Sequence, residues 1–243
     1  MNLIILFELV LAHVVGDFYC QTDKSCQEKL QRKFKSKSLY FHSLVIALLS
    51  WDMVGGGLGF FPYFILLWGS HILIDWGKTI VEPSQKKRTP IFIADQVLHL
   101  CVMVVIAVQF SSEWSNKFYE LFNVGHLHLF PILLTILLLS KPTNILIKLI
   151  LSDYHIMDSN TRSCSQTREA GALIGSLERL LTLCFVLLGE FEAIGFIIAA
   201  KSILRFKDNE RPKTEYVLAG TLLSFGIAIL MGILLKYKYS YLY

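Results

Sequence analysis

Apolar residues run through this chain in stretches of about twenty, broken by short polar or glycine-bearing segments. A run of that length, wound as a helix, crosses the ~30 Å hydrocarbon core of a bilayer. The pattern predicts eight transmembrane helices, over 3–21, 40–56, 60–80, 91–110, 124–140, 169–189, 191–206 and 215–235. Pro142 is expected to open a ninth, interfacial helix, with Ile145, Leu146, Leu149 and Ile150 on one stripe. The glycines of "GGGLGFF" (55–61) and "LGEFE" (188–192) predict tight turns between neighbouring spans. No ten-residue alternation of the kind a membrane barrel needs is visible. The expected fold class is all-α, a polytopic membrane helix bundle. It reads as a single integral membrane domain over 1–243, with four helices in 1–110 and the rest in 111–243.

Composition agrees: 54% of the 243 residues are hydrophobic and 17% charged. The first apolar run lacks a basic leader and a clear small-residue cleavage site, so it is read as a permanent span. Five cysteines (Cys20, Cys26, Cys101, Cys164, Cys184) form no CxxC pair, which gives no sign of a disulfide framework or a cysteine zinc site. Nothing suggests a nucleic-acid partner.

Charge is informative through its placement. Lys24, Lys29, Arg32, Lys33, Lys35 and Lys37 follow span one, and Lys86, Lys87 and Arg88 follow span three. Lys141, Lys148 and Arg162 follow span five, and Lys207, Arg211 and Lys213 follow span seven. Eight alternating spans put all four groups on one side, opposite Lys117, Lys236 and Lys238. The positive-inside rule makes that side cytoplasmic and both termini extracytoplasmic. The 24–37 loop is read as a topology signal, with binding to anionic lipid as a second role.

Against this apolar background stand histidines and aspartates four residues apart. Span one carries His13 and Asp17 in "AHVVGDFYCQ"; span three carries His71 and Asp75 in "SHILIDWGK". Span four carries Asp95 and His99, and His42 opens span two. Residues four apart share a helix face, and alternating spans bring all seven to one depth, in the cytoplasmic half. Spans one and three share an outline, which hints at a parallel two-helix repeat. Charges inside a membrane cost about 2.5–3.5 kcal/mol at its centre, less towards the interface, so these carboxylates need partners. Candidates are the histidines, Lys78, Gln21, Gln96 or a divalent metal such as zinc, which takes imidazole and carboxylate ligands. One assignment makes His13, Asp17, His42, His71 and Asp75 the metal ligands, with Asp95 and His99 in proton transfer. The alternatives are a metal-free proton or substrate site, and plain helix packing by hydrogen bonds.

The second half has its own polar set. Glu178 and Arg179 lie mid-span, Lys201 and Arg205 share a face of span seven, and Arg168 and Glu169 sit at a helix end. One reading joins Arg168, Arg179, Lys201 and Arg205, with Lys78, into a cradle for an anion. The other pairs Glu178 with Lys201 or Arg205 across helices. Gly171 and Gly175 form a small-xxx-small pattern suited to close helix approach.

The pieces "AHVVGDFYCQTD", "HILIDWGK", "FIADQVLHL", "GALIGSLERLL", "AIGFIIAAKSILRF" and "TEYVLAGTLLSFG" carry a resemblance to a family. It is a family of bacterial integral membrane proteins known only as a domain of unknown function (number three-three-zero-seven). The resemblance implies a bacterial inner-membrane location and no established activity. The early His and Asp pairs are also similar to membrane-bound proteins labelled metal-dependent hydrolases. A looser likeness is to ceramidase-like membrane hydrolases, where Ser38 and His42 would match a Ser-xxx-His element. Here Asp stands in each motif where that group has a second histidine.

Three functions follow as expectations. The first is a metal-dependent hydrolase with its site open to the cytoplasmic leaflet, acting on an anionic lipid-like or phosphate-bearing substrate. The second is a small cation- or proton-coupled transporter, which needs a polar lane to the outer face. The third is a membrane scaffold or stress-response protein without chemistry.

Overall fold

The computed structural model describes residues 3–82, 87–110, 123–124, 127–154, 165–205 and 211–240. Lys86, Lys117, His126, His155, Arg162, Cys164 and Lys207 lie outside the described residues. So do the side chains of His128, Arg168, Glu169, Arg205, Arg211, Lys213, Glu215 and Lys238. The described chain is helical apart from a two-residue antiparallel ladder, Asn123–Val124 against Leu127–His128. It falls into two compact units, Met1–Leu134 and Thr135–Tyr243.

In the first unit α1 (Leu3–Val14) runs into a π-helical turn, Val15–Tyr19. The chain then bends by 88° into a polar helix, α2 (Asp23–Arg32). Thr22 caps α2, its hydroxyl accepting the Ser25 N–H at 3.3 Å. A single 3-10 turn, Lys33–Lys35, leads into α3 (Lys37–Met53). Gly55 and Gly56, at φ 101° and 65°, make the predicted turn. The helices α4 (Phe61–Val81) and α5 (Thr89–Gln109) follow, each with a proline in its first turn, where no backbone donor is lost. The expected helices are present here, and α2 is an addition that the apolar pattern could not show.

These helices are polar inside and apolar outside. On α5, Ile93, Val97, Leu98, Leu100, Val105 and Val108 are exposed, whereas Asp95 and His99 are buried. That is the arrangement lipid demands, since a polar group facing acyl chains finds no partner. At one end of the unit, Ile5, Leu9, Ala47, Val54, Phe60, Phe64, Leu67, Met103, Ile106 and Ala107 pack into a continuous apolar core.

The second unit contains α7 (Lys141–Asp153), α8 (Ser165–Leu188), α9 (Phe191–Arg205) and α10 (Arg211–Ser240). The preceding helix α6 (Leu129–Leu139) straddles the boundary. Gly189, at φ 87°, ends α8: its own N–H and that of Glu190 both return to the Phe185 carbonyl. Val186, Ile194 and Phe225 form the centre of this unit.

The chain is a multi-pass helical membrane protein. Five helical segments among the described residues are long and apolar enough to cross a bilayer: Leu58–Val81, Thr89–Gln109, Leu129–Asp153, Gly171–Leu188 and Leu218–Tyr237. The bent pair Leu3–Tyr19 and Asp23–Lys35 makes a sixth if counted as one span. The two other expected spans correspond to α3 and α9, with 17 and 15 described residues, at or below the short end of crossing length. The helix expected to open at Pro142 is α7, parted from α6 by a turn at Ser140, and Leu129–Asp153 as a whole is a 25-residue apolar stretch.

Candidate functional site

Four helices of the first unit each place one histidine in the same layer: His13 on α1, His42 on α3, His71 on α4 and His99 on α5. All four are 5% exposed or less. Ring centroids are 4.1 Å apart for His71 and His99, 4.8 Å for His13 and His99, and 5.1 Å for His42 and His71. One helical turn further, towards α2, lie Asp17, Asp75 and Asp95, the acidic members of the four-residue spacings. The arrangement is two stacked polar layers, imidazoles above and carboxylates below, with the apolar core on the far side of the imidazoles.

The hydrogen bonds divide this cluster in two. His42 donates from Nε2 to Asp17 Oδ1 at 3.1 Å. Gln96 donates to Asp17 Oδ2 and Asp95 Oδ2, both at 3.1 Å, and its carbonyl oxygen lies 3.3 Å from His13 Nε2. Asp17, His42, His13 and Gln96 thus satisfy one another. Gln96 joins His13 and Asp17, and Asp17, which lies in the π turn Val15–Tyr19, also meets His42 of α3.

The other half is incompletely bonded. Asp75 Oδ2 accepts Lys29 Nζ at 2.5 Å, and Asp95 Oδ2 accepts Lys78 Nζ at 2.8 Å. Each carboxylate therefore gives one oxygen to a lysine. The remaining oxygens, Asp75 Oδ1 and Asp95 Oδ1, lie 3.6 and 3.7 Å from His99 Nε2. His71 Nε2 lies 3.8 Å from Asp75 Oδ2. These distances are beyond a hydrogen bond. His71 Nε2, His99 Nε2 and Asp95 Oδ1 are all buried without a hydrogen-bond partner. Native interiors rarely tolerate such atoms, and each is a reason to look for a bound ion or water.

Three ligand sets are close enough to hold a cation: His13, His71 and His99; Asp17, His42 and His71; and Asp75, Asp95 and His99. Ligand distances of about 2.0–2.2 Å in a tetrahedral array set the ligand atoms about 3.3–3.6 Å apart. The spacings around His99 Nε2 are slightly wider than that. A cavity of about 10 Å³, the size of one water, touches His13, His71 and His99, with Ser50, Ser70 and Met103 among its walls.

Two buried charged groups escaped the sequence. Lys29 is 7% exposed and reaches into the carboxylate layer, although its position among six basic residues marks it only as a topology signal. Glu8, wholly buried on α1, lies among the apolar residues of the first span. Gln21 Nε2 is buried without a partner, and Gln96 takes the bridging role described above. Ser38, matched in sequence to a Ser-xxx-His element, donates instead to Glu28 of α2. That bond holds the Glu28 carboxyl below the usual glutamate range.

In the second unit Arg179 is 2% exposed. Its guanidinium donates to the carbonyls of Leu139 (2.5 Å) and Ser140 (3.4 Å). It also donates to Asn144 Oδ1 (2.6 Å), Ser224 Oγ (3.0 Å) and Ser176 Oγ (3.2 Å). Gly175 makes room for this group: a Cβ there would stand 3.3 Å from Arg179 Nη1. Lys201 pairs with Glu178 at 2.5 Å, the interhelical ion pair that was one of the two readings. The backbones of Arg168 and Arg205 lie in α8 and α9.

No curated protein and no solved structure matches the chain, so the likeness to membrane hydrolases has no counterpart there. A family model does match, over residues 5–127, just over half of the 243 residues. The matched segment contains every histidine, aspartate and lysine of the two polar layers, and by it the chain belongs to the family described as "Protein of unknown function (DUF3307)".

Proposed function

We propose that the first unit is a metal-dependent membrane enzyme, most simply a hydrolase. Its centre would be a zinc-like divalent ion held by His99, Asp75 and Asp95, with His71 alongside. The observation that carries this is that His71 Nε2, His99 Nε2 and Asp95 Oδ1 are buried and unpartnered, with His99 Nε2 too far from Asp75 Oδ1 and Asp95 Oδ1 for hydrogen bonds. A divalent ion there supplies a polarised water, with its pKa brought towards ~7. His42, its Nε2 fixed by Asp17, is the protein group suited to take up a proton. This redistributes the sequence assignments, moving Asp95 and His99 among the ligands and Asp17 and His42 to proton handling.

The charges speak to substrate class. Three carboxylates and two ammonium groups sum to minus one with the imidazoles neutral. A divalent ion brings the total to plus one, which suits the anionic end of a lipid or another phosphate-bearing molecule. The basic residues around α2 support placing this end of the unit at the cytoplasmic leaflet of a bacterial inner membrane, with the termini outside. Arg179, surrounded by five neutral acceptors, and Lys201, paired with Glu178, read as packing groups rather than as an anion cradle.

The transporter reading needs a polar lane through the unit. The core from Ile5 to Ala107 fills the end beyond the imidazoles with apolar side chains, interrupted by the buried Glu8 and Ser50, and this favours an enzyme.

The test is elemental analysis and Co²⁺ binding by visible absorption on the purified protein in detergent. About one ion per chain is expected, lost in His99→Ala and Asp95→Asn. Phosphate release from para-nitrophenyl phosphate and from phosphatidic-acid micelles should depend on that ion. Folded wild-type protein that binds neither zinc nor cobalt overturns the proposal.

A further inference from the structure

The polar layers are closed: their histidines and aspartates are buried, and the adjoining cavity holds about one water. Any ion or substrate must therefore enter by moving something aside. The apolar core seals one end. At the other end the carboxylates are covered by α2, and α2 is an unusual cover. Among its ten residues only Lys29 is buried. Asp23, Lys24, Gln27, Leu30, Gln31 and Arg32 are exposed, Leu30 by 38%. An element that buries one ammonium group and no apolar side chain opens at little cost in hydrophobic contact.

Three polar or aromatic contacts hold it. Lys29 Nζ meets Asp75 Oδ2 at 2.5 Å, the Ser38 hydroxyl donates to Glu28, and Phe34 just beyond the helix packs on Trp76 at 5.4 Å. The joint also carries a site residue. The π turn that precedes the 88° bend contains Asp17, bonded to His42. A swing of α2 about this joint would withdraw Lys29 from Asp75 and strain the Asp17–His42 pair together.

We propose that α2 is the lid of the site and Lys29 its latch, an internal cation that neutralises Asp75 while the lid is shut. On opening, the ammonium leaves Asp75 and exposes the carboxylate layer to the aqueous side, where a divalent cation or the charged end of a substrate enters. Lys29 is thus a gating residue that acts through Asp75. This deepens the metal reading and rests on it for the identity of what enters. The lid itself can be tested without a metal.

Lys29→Met keeps the length of the side chain and removes the charge. Ser38→Ala releases the second contact at a partly exposed position and serves if the first variant folds poorly. Hydrogen exchange over residues 23–32 should rise tenfold or more in Lys29→Met, and by more than it rises in α4. Carbethoxylation of His71 and His99 by diethyl pyrocarbonate, followed by mass spectrometry, should quicken at least fivefold. Ser38→Ala should show a smaller rise in both. Faster exchange in α2 with unchanged histidine modification overturns the lid, because α2 would then be loose without guarding the site. Unchanged exchange overturns the latch. Cobalt association, measured in parallel, separates the two claims. A lid that opens over a site taking no cobalt leaves the lid standing and removes the metal; cobalt binding at an unchanged rate in both variants removes the lid and keeps the metal.

Discussion

The Lys29–Asp75 pair gives the most exacting test of how the site is built. Both side chains are below a tenth exposed and their charged atoms are 2.5 Å apart. Replacing Asp75 by Asn leaves an ammonium group buried without its counter-charge. Breaking a buried pair from one side costs about 3–5 kcal/mol, whereas replacing both partners by neutral groups of similar size is often neutral or stabilising. Asp75→Asn alone should therefore destabilise the unit strongly, and adding Lys29→Met should restore it to within about 1 kcal/mol of wild type. The coupling energy of the cycle is expected at about 2 kcal/mol or more, well above what independent sites show. Unfolding by sodium dodecyl sulfate in mixed micelles, followed by tryptophan fluorescence, measures it. Trp76, next to Asp75 and packed on Phe34, is the natural reporter. Ion binding should behave differently: lost in Asp75→Asn and still lost in the double variant, because the carboxylate is gone in both. Stability that returns while binding does not separates folding from function. A double variant no more stable than Asp75→Asn alone would show that Lys29 is not within the carboxylate layer, and the argument for the site's charge balance would fail.

Zinc at a hundred times its dissociation constant should stabilise the wild-type protein by about 2.7 kcal/mol, read as a rise in thermal midpoint that a chelator reverses. His99→Ala should abolish that rise. Gly16 is packed on α3 so closely that an alanine Cβ would overlap Ile46 Cγ1 and sit 3.2 Å from its Cδ1. Gly16→Ala should cost about 1–3 kcal/mol, and combining it with Ile46→Ala should cost less than the sum of the two, as the same unfolding titration will show. Arg179→Ala removes five hydrogen bonds and takes the charged donor from the Leu139 carbonyl, Asn144 Oδ1 and Ser224, and should lower stability by about 2–4 kcal/mol. Arg179→Lys should recover less than half of that in thermal denaturation, since a lysine cannot reproduce the planar fork.

The helices of the first unit and the convergence of their histidines were legible because two periods coincide. Apolar runs set the spans, and the spacing of four put His71 with Asp75, and Asp95 with His99, on inward faces. The same spacing brought His13 and Asp17 to a common partner, Gln96, but the π turn around Asp17 was not legible, since "VGDFY" would serve an ordinary helix. Lys29 was illegible for a different reason. Charge-based topology counts basic residues without asking which way each one points, and the 88° bend that aims α2 back at the site depends on tertiary contacts. Spans were least legible where helices are short: α3 is closed by the Gly55–Gly56 turn and α9 has 15 described residues. Pro142 marked a fresh start, and α7 does open there, directly after the turn at Ser140 that ends α6. Gly175 suggested helix–helix approach, and what it accommodates is the guanidinium of Arg179 one turn on.

Each of the two central carboxylates has one oxygen committed to a lysine, which limits how it can bind an ion. With Oδ2 engaged, Asp75 and Asp95 can each offer a single oxygen, and the remaining donors are ring nitrogens. Calcium seeks six to eight oxygens, often with both atoms of a carboxylate, and magnesium holds to an octahedron of oxygens. A centre of two single oxygens and the His99 nitrogen, with a fourth place for water, would instead suit the coordination number and ligand softness of zinc and its transition-series neighbours. The lysines would thereby act as a filter, discriminating against the abundant alkaline-earth ions by leaving them too few oxygens.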